Sequence, residues 1–154
     1  MEPQIDTIAR RRLAELARHL AAGRITNFEF DDAVPRSSER AIHLVYNYGL
    51  WPFYDDLTRH RLTGKWALSP EGRSWVARII LFLRSNQPYR YYHPTLWGRL
   101  LALPVTILTL GVSDRLWRRY QWRHADKSVW PFYTREEFEL ALRTPVYLRG
   151  TADA

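Results

Sequence analysis

Glu39 and His43 stand four residues apart, and so do Asp56 and His60. On a helix that spacing puts a carboxylate and an imidazole on one face, where they could hold a metal ion or pass a proton. Two ligands do not make a metal site, however. His19, His93 and His124 add neither a His-x-His nor an HExxH arrangement. Asp31-Asp32 and Asp55-Asp56 are carboxylate doublets of a kind that can do acid–base work. Adjacent helical residues point about 100° apart, so each doublet is expected to face water. The seven glycines spell no GxGxxG, Walker or GxSxG pattern, and the chain has no cysteine, hence no thiolate, disulfide or Cys-based zinc site. The expectation is no metal, no cofactor and no catalytic residue. An enzyme is the less favoured reading.

Charge carries more signal. Residues 59–123 hold twelve basic and two acidic residues, a net +10, whereas residues 1–58 carry −2 and residues 124–154 carry −1. Within the basic third, "RLWRRYQWRH" sets Arg115, Arg118, Arg119 and Arg123 among Trp117, Tyr120 and Trp122. Guanidinium groups grip phosphates or carboxylates in bidentate fashion and stack on aromatic planes. Aromatics interleaved with cations also suit single-stranded nucleic acid and anionic lipid surfaces. The four arginines with Trp117 and Trp122 are therefore the candidate binding residues. An acidic protein partner or nucleic acid is the candidate ligand, with a membrane surface the least favoured. Two plainer explanations compete with this one. The bias of 21 Arg over 2 Lys fits a GC-rich coding sequence. The tryptophans could be core, with the arginines capping helix ends or pairing with Glu136, Glu137 and Glu139.

The elements that would position these groups are mostly helical. Residues 6–22 place Ile5, Ile8, Leu13, Leu16 and Leu20 on one face and Arg10, Arg11, Glu15 and Arg18 mostly elsewhere, with Gly23 as the C-cap. Thr26-Asn27-Phe28-Glu29 has the form of a capping box, opening a short helix that Pro35 closes. Ser37 or Ser38 caps a longer helix through Tyr48. Gly49 and Pro52 interrupt it, and a restart at Pro52 is expected to run to about Arg61. Ser69-Pro70-Glu71 is a strong start for a helix through Arg84 with Trp75, Val76, Ile79, Ile80 and Leu83 as its core face. Asn86 to Pro94 is expected to be extended. Leu100 to Val112 is an uncharged run of 13 residues, short of the ~20 needed to cross a bilayer, and is expected to be a buried helix. Val129 to Tyr133 reads as a short strand, and Thr134-Arg135-Glu136-Glu137 as a second capping box opening a helix through Arg143.

"LARHLAAGRITNFEFDD", residues 16–32, resembles the SHOCT-type helical hairpin of bacterial proteins, a resemblance that extends over roughly residues 13–32. That resemblance implies a small packing or oligomerisation element and carries no chemistry. Trp-Pro-Phe-Tyr occurs twice, at 51–54 and 130–133, but the flanking residues do not align, as a true repeat requires. Both copies are expected to anchor the start of a helix rather than to form a module. "SVWPFYTREEFELAL" resembles the ends of uncharacterised small bacterial proteins with a Trp-Pro-Phe motif at a helix start. It implies only that such a domain exists elsewhere.

The expected fold is mainly α: a single compact helical domain over residues 1–154, with five or six helices and a small β element in the C-terminal third. Residues 1–35 form an N-terminal helical hairpin with room to sit at the periphery. Met1-Glu2-Pro3-Gln4 starts no secretory signal, so a cytoplasmic protein is expected. The expected function is non-enzymatic binding of an acidic protein or polyanion through residues 59–123. Nucleic-acid binding and a small enzyme without a legible motif are the alternatives, and self-association is compatible with each.

Overall fold

Leu13, Leu16, Ala17 and Leu20 recur at helical spacing and bury one side of helix α1, Thr7–Ala21. The computed structural model describes residues 5–91 and 125–143, and within them α1 packs most extensively on α4, Pro70–Leu83. Helices α2, Asn27–Asp32, and α3, Arg40–Val45, pack on α1, while α5, Arg135–Arg143, packs on α4. The core between them holds Phe30, Ile42, Val45, Leu50, Ile79, Phe82 and Phe132, all but sealed from solvent. The described residues are thus mainly helical, in five α-helices, and none of these is long and apolar enough to cross a membrane.

Local chemistry sets most helix ends where the sequence places them. Gly23 follows α1 with φ +64°, its N–H donating to Leu20 O and that of Arg24 to His19 O, so two terminal carbonyls find donors. A Cβ on Gly23 would also lie 2.4 Å from Thr63 Cγ2, which reserves the position for glycine twice over. The Thr26–Glu29 capping box forms as expected, with Glu29 N–H to Thr26 Oγ1 at 3.2 Å and Thr26 N–H to Glu29 Oε2 at 2.7 Å. Ser69 accepts from Gly72 N–H, with Pro70 in the first turn. Thr134 and Glu137 close the second box at the start of α5.

Four expectations are corrected. The face of α1 is rotated: Ile8 is 80% exposed, whereas Arg10 is 1% exposed, because Arg10 has a buried partner. On α4, Val76, Ile79 and Leu83 are buried as expected, but Trp75 and Ile80 are half-buried against the core edge. The helix expected from Pro52 to Arg61 is absent. After α3 the chain widens into a π-type turn, Tyr46–Leu50, tightens into a 3₁₀ turn, Trp51–Phe53, and leaves extended at Tyr54 (φ −96°, ψ 143°). Asn27 explains why no helix follows. Its Nδ2 donates to Asp55 O and Thr58 O at 2.9 and 3.0 Å, its Oδ1 accepts from His60 N–H at 2.9 Å, and its own N–H donates to His60 O. Of these groups, Asp55 O and His60 N–H are ones a helix through Arg61 would have used, and the set holds residues 55–60 open against α2.

The small β element is likewise not seen, and the described residues contain no strand. Val129 ends a 3₁₀ turn, Lys127–Val129, capped by Asp126, and a tight loop through a cis Trp130–Pro131 bond follows. Asp126 N–H donates to Tyr133 O, closing the loop on itself rather than onto a neighbouring strand. The two Trp-Pro-Phe-Tyr copies therefore differ in conformation. Trp51 is exposed, whereas Phe132 is fully buried and Trp130 stacks on Trp75 at 5.0 Å. Gly49, just ahead of the first copy, packs against the second: a Cβ there would lie 2.7 Å from Ile79 Cδ1 and 2.8 Å from Trp130 Cη2. Only glycine lets these segments approach so closely.

Candidate functional site

The six candidate binding residues, Arg115, Trp117, Arg118, Arg119, Trp122 and Arg123, lie outside the described residues, as does the apolar run from Leu100 to Val112. The described part of the basic third, residues 59–91, carries seven cations whose environments differ. Arg61 donates to the carbonyls of Gly23 and Arg24, and Arg73 to that of Leu68. Arg78 donates to Trp130 O and Ser128 O at 2.7 Å each while its guanidinium lies over Trp75. Arg90 pairs with Glu137 at 3.2 Å, and Arg84 closes α4. Arg61, Arg73, Arg78 and Arg90 thus fasten loops and helix ends, so part of the charge concentration is structural. Arg84 instead caps α4 through its backbone N–H, and its buried Nε finds no hydrogen-bond partner among the described residues.

Arg59 and Lys65 are different. Arg59 is exposed with its guanidinium 5.5 Å from the centre of Phe28, and Lys65 Nζ is 5.3 Å from the centre of Trp66. Neither makes an ion pair among the described residues. Trp66 is 37% exposed and stacks on the His60 imidazole at 4.3 Å. The segment from Leu57 to Ala67 is thus an exposed loop of cations seated on aromatic rings, pinned from beneath by Asn27. Leu57, 94% exposed, stands at its start.

On the other side of Leu57 the charge reverses. Asp31 and Asp32 end α2, and Asp55 and Asp56 follow the Trp51–Phe53 turn. The charge of both doublets acts on Tyr54, which Asp55 and Asp56 follow directly in the chain. Burial raises the Tyr54 hydroxyl above its usual range, and the negative charges of Asp31, Asp56, Asp32 and Asp55 raise it further. Burial and the Asp31 carboxylate, which accepts the Tyr46 hydroxyl, raise Tyr46 in the same way. Asp31 is therefore bound rather than simply facing water, while Asp32 and Asp56 are exposed. Tyr54 stacks on Trp51 at 4.6 Å and tilts against Phe28 at 5.7 Å. An aromatic strip of Trp51, Tyr54 and Phe28 so connects the acidic cluster to Arg59.

The carboxylate–histidine pairs do not survive as sites. Asp56 and His60 lie in the irregular segment rather than on a helix, and His60 is buried with Nδ1 2.9 Å from Thr58 O. Glu39 has Arg10 as partner instead of His43, whose Nε2 is 3.1 Å from Ser37 O. No group of three or more metal-ligating side chains occurs among the described residues.

Arg10 and Glu39 form an ion pair the sequence gives no sign of. Both are buried, with Nε–Oε1 at 2.9 Å and Nη2–Oε1 at 2.5 Å. Arg10 Nη1 also donates to Ser85 O and Gln87 O, and Asp6 N–H donates to Glu39 Oε2 at 2.8 Å. The guanidinium sits 4.9 Å from the centre of Phe82. Beside the pair opens a cleft of about 470 Å³, lined by Arg40, Tyr89, Arg90 and Tyr91 among others. A concave site with a buried ionisable pair is where a catalytic acid or base would be sought. Here the carboxylate is already saturated by Arg10 and a backbone N–H. The pair acts as a clasp that ties α1 to the start of α3 and the end of α4.

Together these features define a small, mainly α-helical structure with an exposed surface on which acidic, aromatic and basic patches adjoin. No protein-family profile, curated protein or solved structure matches the chain.

Proposed function

We propose that the protein works by binding rather than by catalysis, contacting an acidic protein partner through a basic, aromatic-rich face within residues 59–123. One observation carries this reading: Arg59 and Lys65 are exposed, rest on the rings of Phe28 and Trp66, and have no carboxylate in ion-pair range among the described residues. A cation held on a ring has already lost part of its conformational freedom, so less is lost when a carboxylate arrives. An acidic protein suits this surface better than a nucleic acid. The described rings already have neighbours, Tyr54 on Phe28 and His60 on Trp66. An incoming base would have to displace a neighbour to stack, whereas a carboxylate can reach the cations from outside. Arg115, Trp117, Arg118, Arg119, Trp122 and Arg123 belong to the same basic stretch of sequence and are part of the same proposal.

The test is binding of a poly-glutamate peptide and of a single-stranded oligonucleotide at low and at physiological salt. The peptide is expected to bind and to weaken with salt, because exposed charge pairs are screened over about 8–10 Å. Arg59→Ala with Lys65→Ala should weaken peptide binding several-fold with folding unchanged, each exposed pair contributing roughly 0.2–1 kcal/mol. Binding of the oligonucleotide alone would replace the acidic protein by nucleic acid. Binding of neither at low salt would overturn the reading.

A further inference from the structure

Residues Asp55 to Arg61 read acidic, apolar, basic along one irregular stretch of chain that is exposed except at the half-buried Asp55 and the buried His60. In space the pattern widens. Asp55 and Asp56 follow Tyr54 directly, and Asp31, beside Asp32, accepts the hydroxyl of Tyr46, whose ring meets Trp51 edge-on next to Tyr54. Trp51, Tyr54 and Phe28 form the aromatic strip, and Arg59 begins the basic patch over Phe28. Leu57 lies between the two signs of charge, 94% exposed, with Trp51 40% exposed nearby. A two-fold interface is made from one patch meeting itself, so the patch must be complementary to its own rotated image. Adjacent patches of opposite sign with an apolar centre meet that condition. A two-fold axis through Leu57 would set the acidic cluster of one copy against Arg59 of the other, twice, and would bring the two leucines together.

We infer that the acidic partner of the basic face is a second copy of this chain, docked two-fold through the surface around Leu57. This rests on the binding reading above and names its partner. The pairing buries an isolated, nearly fully exposed leucine, and it neutralises Arg59 and Asp56, which have no ion-pair partner among the described residues. The patch is small, so the dimer belongs to the weak class of interfaces, below about 1,200 Å² in total, and it should loosen as salt rises.

Sedimentation equilibrium from about 1 to 200 μM protein, a range suited to so small an interface, tests this directly. The wild type should pass from monomer to dimer, with a midpoint that moves to higher concentration in high salt. Leu57→Asp should weaken the dimer at least tenfold without changing the helical circular dichroism. Charge reversal gives the sharper test. Asp56→Arg and Arg59→Asp should each abolish dimerisation, since each sets like charges opposite one another at both ends. An equimolar mixture of these two variants should restore a dimer. The arginine introduced in one then faces the aspartate introduced in the other, and the native pair of Arg59 with Asp56 re-forms at the opposite end. A wild type that stays monomeric, or a mixture that does not associate, would overturn the inference. If such a monomer still binds poly-glutamate, the basic face has another acidic partner and the binding reading stands. If it binds neither, both fall together.

Discussion

Arg10 shows how much a single residue can hide from a sequence. Hydrophobic periodicity assigns it to the solvent side of α1, since nothing within a turn or two signals a partner. The partner, Glu39, lies 29 residues away and meets it only once α1 and α3 have packed. The buried pair also explains why Ile8 is left outside: the stripe of α1 is rotated to bring Arg10 in. Breaking a buried pair leaves an uncompensated charge, which typically costs about 3–5 kcal/mol. Arg10→Met should therefore destabilise the protein by roughly that amount in chemical denaturation. Arg10→Met with Glu39→Leu should recover part of the loss, but not all of it. Ser85 O, Gln87 O and the Asp6 N–H would still be missing partners. A double variant as unstable as the single would contradict this role. The binding candidates were legible only in kind: the basic third was visible as a composition, but Arg59, Lys65 and Trp66 were not separated from the arginines that merely fasten loops. The cue was present in the alternation of charge around Leu57.

At the scale of elements, what could be read was what is local. Thr26 with Glu29, Ser69 with Pro70, Thr134 with Glu137 and Gly23 after α1 each act within four residues, and each end falls where expected. The helix expected after Pro52 failed because its competitor is distant in sequence. Asn27 reads as an ordinary first-turn residue, yet its amide takes Asp55 O, Thr58 O and His60 N–H and holds the chain open. The strand expected at Val129 to Tyr133 failed for a similar reason: β-branched and aromatic residues fit any half-buried surface, and here a capped turn delivers them to Trp75 and Phe82. Asn27→Ala tests the first point. Three hydrogen bonds are lost at a site 1% exposed, and water can replace only some of them, so a cost of about 2–3 kcal/mol is expected. Amide hydrogen exchange should also rise across residues 55–63, and poly-glutamate binding should weaken with it, because Arg59 and Lys65 depend on that loop. Unchanged exchange would show that the loop is held by something other than Asn27.

For the molecule as a whole, the groups that tie its parts together set a window of pH in which it is stable. On the acid side, Asp6 is held below its ordinary value of about 3.8, first by the Ala9 N–H and then by the Ser37 hydroxyl. Asp126 is lowered chiefly by the Ser128 hydroxyl and N–H. A carboxyl group whose folded pKa is depressed stabilises the fold above its unfolded value and loses that contribution as pH falls through the folded one. Stability should thus be kept above about pH 4 and decline below it. On the alkaline side, burial pushes Tyr89 up to about 12, and it raises Tyr46 and Tyr91 as well. Tyr91 donates its hydroxyl to Phe132 O at 3.0 Å and Tyr46 to the Asp31 carboxylate, bonds that exist only while the phenols keep their protons. With the folded pKa raised, the contribution is complete below the unfolded value of about 10 and is lost as pH rises from there towards the folded values. Denaturation at a series of pH values, with phenolate absorbance followed in parallel, should show stability falling above about pH 10, and a late fraction of the tyrosines ionising together with unfolding. Tyr91→Phe should be less stable at neutral pH, having lost the bond to Phe132, yet its stability should fall less steeply above that point. A wild type equally stable at about pH 9 and about pH 12, or late tyrosines that ionise without unfolding, would show that these hydroxyls do not tie α3 to α2 and the segment after α4 to the Trp130 loop, as their contacts imply.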